Sequence, residues 1–120
     1  MAQSDVKAAV MKSIEGIHAN PRLSRVVFKT SIQWEEDVRC SAKIGYFTPM
    51  TIDEPPELGG QNAVPNPVEL VLAALGTCQE ITYSAYASVM GIELISVKVN
   101  IKGKVNLKGL FGLIKSVPAG

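Results

Sequence analysis

Few side chains in this sequence are of types suited to covalent or acid–base chemistry. There are two thiols, Cys40 and Cys78, and a single imidazole, His18. Neither cysteine has a CxxC partner, and one histidine builds neither a metal centre nor an obvious Cys–His couple, so no metal and no cofactor is expected. What remains is a thiol assisted by an arginine or a carboxylate. The thiolate is the reactive form, and a nearby cation is what makes it accessible at neutral pH. Arg39, next to Cys40 in sequence, is the first candidate cation, and Glu69 is the candidate carboxylate. Each has a plainer explanation as well. A free cysteine is often an inert small hydrophobe, an arginine on a strand is often solvated, and Glu69 fits a helix cap.

The elements that must carry these residues follow from periodicity. Val6, Ala9, Val10, Ile14 and Ile17 recur at helical spacing, which predicts an amphipathic helix over 4–19, with Ser4 as cap and Pro21 as stop. RVVFKTSIQW then alternates with many β-branched residues, a polar EED turn follows at 35–37, VRCSAKIGYF reads as a second strand and MTI at 50–52 as a third. These strands predict an antiparallel meander. DEPPELGGQNAVPNP is turn chemistry throughout and reads as a loop.

That loop ends at a strong helix start. Asn66 suits the cap, Pro67 the first helical position, and Glu69 stands three residues after the cap. The helix is expected over Pro67–Met90 and closed by Gly91. It places Cys78 mid-helix beside Val71, Ala74, Leu75, Ile81, Thr82 and Ala85. Glu69 precedes Cys78 by nine positions, which puts it on roughly the opposite face and about 13 Å up the axis. Glu69 can therefore act on a thiol only across a dimer. The helix is apolar on nearly every face, with Gly76 and small neighbours open to close approach, so a second copy of the chain is the expected cover. After Gly91, IELISVKVNIKGKVN alternates again and is expected to be a long half-buried strand.

Composition bounds the function. At 120 residues the chain is one domain, 1–120. Twelve basic against eleven acidic residues leave no field for a nucleic-acid backbone. The longest apolar run, Leu70 to Leu75, falls far short of the roughly 18–20 residues of a membrane span, and the N-terminus does not read as a signal peptide. No nucleic acid, no membrane and a cytoplasmic location are the expectations.

The run DEPPELGGQNAVPNPVELVLAALGTCQ resembles the OsmC/Ohr superfamily of thiol-dependent hydroperoxide reductases, in its OsmC-like branch. The matching features are the DEP turn, Leu58-Gly59-Gly60, Asn66-Pro67, Glu69-Leu70 and the helical Ala-Leu-Gly-Thr-Cys. The resemblance implies an α+β fold in which an antiparallel sheet surrounds a long central helix and two chains interlock as a homodimer. It implies reduction of an organic hydroperoxide at Cys78, with Arg39 orienting the thiolate and a thiol reductant restoring it, as part of an oxidative stress response. Two positions differ from the family pattern. Val68 stands where peroxidatic members carry the arginine-binding glutamate, the carboxylate following at Glu69. The family's resolving cysteine lies in a C-terminal helix expected to be missing here, which leaves Cys40 as the other thiol. The alternative reading is a non-catalytic dimeric module that binds a hydrophobic ligand, or a shortened relic without peroxidase activity.

Overall fold

The computed structural model describes residues 2–120. The first helix, α1, runs Gln3–Ala19. Its start is held by Asp5, whose carboxylate accepts the Ala2 N–H at 2.9 Å, rather than by the expected Ser4. Asn20 ends it, and its side chain accepts the Arg22 N–H of a 3-10 turn at Pro21–Ser24.

Three antiparallel strands follow, β1 (Thr30–Glu36), β2 (Arg39–Ile44) and β3 (Met50–Ile52), in the order β1-β2-β3. Trp34 pairs with Cys40 and Cys40 with Ile52, while Ile32 pairs with Ala42 and Ala42 with Met50. Directly opposed residues share a face. One sheet face is thus apolar, and Gln33, Ser41 and Thr51 mark the other. Both long strands are shorter than their sequence pattern. Gly45 takes a left-handed φ of 54°, which turns β2 away after Ile44. The apolar stretch before Thr30 then has no partner, and Phe28 is 90% exposed. Apolar alternation is a strand signal only where a neighbouring strand exists to accept the hydrogen bonds.

The loop from Asp53 is closed at its neck. The Asp53 N–H donates to the Pro65 carbonyl, and the Asn62 N–H donates to that of Glu54. Inside it a 3-10 turn spans Pro56–Leu58, ended by Gly59 at φ 93°. Gly60 has to be glycine, because a Cβ there would collide with the Glu54 carbonyl.

The long helix, α2, spans Pro67–Val89 and is about 35 Å long. It starts as its sequence dictates: the Glu69 N–H donates to Asn66 Oδ1 at 2.8 Å and the Asn66 N–H to Glu69 Oε1 at 3.1 Å. Its partner among the helices is α1. Gln3 ties the start of α1 to the end of α2, donating to the Ile92 carbonyl and the Ser88 hydroxyl and accepting the Leu94 N–H.

The expectation for the segment after Gly91 needs correction. The segment forms no strand; it is extended backbone without a ladder until the short helix α3, Leu107–Leu110. Its alternation is nevertheless expressed in burial: Val97, Val99 and Ile101 are half-buried and Lys98, Asn100 and Lys102 exposed. The inward residues lie on α2, where a Cβ on Gly76 would stand 3.2 Å from Ile101 Cγ1. Gly76 therefore receives the chain's own extended segment, at the place where a second copy's helix was expected to cross. Within one chain the strands of the sheet pack on one another while α2 packs on α1.

The chain is open for its size. Its radius of gyration is 19.5 Å, against about 14 Å for a compact domain of this length. Its accessible surface is 10001 Å², whereas a folded monomer of this mass presents about 6,300 Å². Among the described residues, the buried apolar ones are Ala42, Ile52 and Ala87.

Candidate functional site

Cys78 lies in the middle of α2 and is exposed, as a free thiol. Its carbonyl accepts the Thr82 hydroxyl at 2.8 Å, and Thr77 bonds back to the Ala73 and Ala74 carbonyls. These contacts belong to the helix ladder and leave the thiol facing outward. Cys40 is the opposite case. It is a half-buried free thiol on the apolar face of β2, between Trp34 and Ile52.

Glu69 is occupied at the helix start. Its carboxylate holds the Asn66 N–H, a position that also suits the positive end of the helix dipole.

Arg39 opens β2 just after a tight turn in which Asp37 has a φ of 49°. The register slips between Trp34 and Glu36, and this bulge sets Glu36 opposite Arg39. Glu36 Oε1 lies 3.8 Å from Arg39 Nη1. On the other side, Arg39 Nη2 is 3.6 Å from Asp53 Oδ2 and donates to Gln61 Oε1 at 3.3 Å. Asp53 is 1% exposed, the most buried side chain described. It also accepts the Gln61 N–H at 3.0 Å. The backbone N–H groups of Gln61 and Glu54 hold its carboxyl below the usual range, and the Arg39 guanidinium adds to this.

The three residues singled out in the sequence thus sit in three places: Arg39 at the sheet end, Glu69 at the helix start and Cys78 at mid-helix. Arg39 is engaged with Glu36, Asp53 and Gln61, and Glu69 with Asn66. Asp53 and Gln61 are the additions. Asp53 had a signal, an ionisable residue directly after a strand and directly before a proline loop. Its partner had none, since the pairing depends on how that loop folds back.

Residues 60–117 match the family model described as OsmC-like protein. This span is OsmC-like. The matched span carries the end of the proline loop, the helix cap and Cys78, and leaves the Arg39–Asp53 pair outside it. No curated protein matches the chain. The mixed helices and three-stranded antiparallel sheet are an α+β arrangement in keeping with this family. Among the described residues, no helix is long and apolar enough to cross a membrane, and no cluster of His, Cys, Asp and Glu is placed to hold a metal ion.

Proposed function

We propose that this OsmC-family chain is a cysteine-dependent peroxidase that reduces organic hydroperoxides. The observation that carries this reading is an exposed thiol, Cys78, held mid-helix within the span that matches the family. The Cys78 thiolate attacks the terminal peroxide oxygen and the O–O bond breaks. The alkoxide takes a proton and leaves as an alcohol, and the sulfur becomes a sulfenic acid. A thiol reductant condenses with it, releasing water and forming a mixed disulfide. A second reductant thiol restores Cys78 and leaves as the oxidised reductant. In this scheme Arg39 stabilises the thiolate and Glu69 fixes the start of the helix that presents it. A reducing cytoplasm supplies the thiols and keeps both cysteines free.

The acting species is a homodimer in this reading. The surface in excess of a compact monomer is about 3,700 Å², more than a standard interface buries on one partner. Among the described residues, the extended 97–102 segment has period-two burial and no strand beside it, and both sheet edges end without a neighbouring strand. A second copy supplies what each lacks, and it is the route by which a sheet-borne Arg39 reaches a helix-borne Cys78.

A second reading, a non-catalytic module that binds a hydrophobic ligand, is favoured by one feature. A groove of about 250 Å³ runs along α2, lined by Leu72, Gly76, Val99 and Ile101 among others. Peroxide consumption with a dithiol reductant separates the two. The peroxidase reading expects turnover in wild type and in Cys40→Ser and none in Cys78→Ser. Equal consumption by wild type and Cys78→Ser overturns it.

A further inference from the structure

Arg39 is held from two sides, and the two sides are unequal. Glu36 is largely exposed and stands 3.8 Å away, an arrangement worth little in water. Asp53 is almost wholly buried, is itself fixed by the Gln61 N–H, and belongs to a loop closed through its own backbone. The loop has no slack at this point, because Gly60 lies directly against Asp53 and Glu54. Gln61 serves both residues, giving its N–H to Asp53 and its side-chain oxygen to Arg39. Arg39 keeps 29% of its side chain exposed, with Nη2 anchored on the Asp53 side and Nη1 held only by the distant, exposed Glu36.

We infer that Asp53, with Gln61, is the positioning residue for Arg39: the buried carboxylate anchors one edge of the guanidinium so that its outer edge is held toward the Cys78 thiolate. This rests on the reading above in which Arg39 serves Cys78. Glu69, the carboxylate at the start of α2, is spent on the cap. The carboxylate that holds Arg39 comes instead from the end of β3.

Removing the charge of Asp53 has two opposed consequences. It leaves Arg39 less neutralised, which favours a thiolate, and it releases the guanidinium from its place, which disfavours one. Positioning requires the second to prevail, so the sign of the change is diagnostic. The measurement is the pH dependence of Cys78 alkylation by iodoacetamide, in a Cys40→Ser background so that one thiol reports. Arg39→Ala is expected to raise the alkylation midpoint by about one pH unit. Asp53→Asn, which keeps the shape and an acceptor for the Gln61 N–H, is expected to raise it in the same direction. The double variant is expected to match Arg39→Ala alone, and Asp53→Glu to recover part of the shift.

An unchanged midpoint in Arg39→Ala overturns the assignment of Arg39 to Cys78, and this inference with it. A shift in Arg39→Ala with none, or a fall, in Asp53→Asn overturns the inference alone. So does an Asp53→Asn effect that persists undiminished without Arg39, because Asp53 would then act through the fold. If Asp53→Asn loses its circular dichroism, Gln61→Ala takes its place. It removes the other acceptor of the same Nη2 from an exposed position, and a smaller rise is expected. An unchanged midpoint there overturns the inference.

Discussion

Ile101 Cγ1 lies where a side chain on Gly76 would begin, 3.2 Å from the position of the missing Cβ. The relationship seats the extended segment on α2 and makes the glycine a packing position. Glycine costs a helix interior about 1 kcal/mol relative to alanine. Gly76→Ala is therefore expected to be close to neutral in urea unfolding, the helix gain offsetting mild crowding. Gly76→Leu is expected to lose about 1–3 kcal/mol, as the segment is pushed off the helix. A Gly76→Leu midpoint equal to wild type would show that the segment does not rest there.

Glu69 offers a separation of cap from catalysis. Glutamine also completes a capping box, so Glu69→Gln is expected to retain stability and peroxide consumption within about twofold. Asn66→Ala is expected to cost about 1 kcal/mol, read from the thermal transition. A large loss of turnover in Glu69→Gln with the fold intact would move Glu69 from the cap to the chemistry.

Asp53 makes the acid limb of the stability curve predictable in sign. Its carboxyl in the folded chain titrates below the ordinary carboxylate range, held there by the Gln61 and Glu54 backbone N–H groups. The unfolded state therefore binds the proton first, and stability rises with pH through this window. The contribution is fully present above the unfolded value and is lost as pH falls through the folded one. Urea midpoints measured between pH 2 and 5 should fall more steeply with acid in wild type than in Asp53→Asn. Parallel curves would show that the carboxylate is not held in the native state.

The assembly is tested by sedimentation. In the proposed dimer, an open chain with so few buried apolar residues would gain most of its core on association, and obligate dimers have no stable monomer. A dimer at micromolar concentration, with a melting temperature that rises with protein concentration, is expected. A cooperatively folding monomer would overturn the dimer and the shared site together.

The elements bounded by local chemistry could be read without a structure. Asn66, Pro67 and Glu69 satisfy the first N–H groups of a helix within four residues of sequence, so α2 begins where they stand and ends beside Gly91. The short strand Met50–Ile52 and the proline loop were equally legible, because turn residues act on their own backbone. The mid-helix place of Cys78 followed from the same cap.

What the sequence could not decide depended on distant partners. The 92–106 stretch has strand alternation, yet hydrogen bonding needs a neighbour that the chain's own fold does not bring alongside, so it became a strap on α2 instead. Lys29 still accepts the Gly45 N–H, but the turn there leaves residues 26–28 without a strand beside them. Arg39 and Asp53 are fourteen positions apart, and they meet only because a one-residue bulge sets the register at the start of β2 while the loop neck closes at Pro65. Side-chain period is local and survives in the sequence. Pairing is a property of the whole chain, and the tertiary structure alone assigns it.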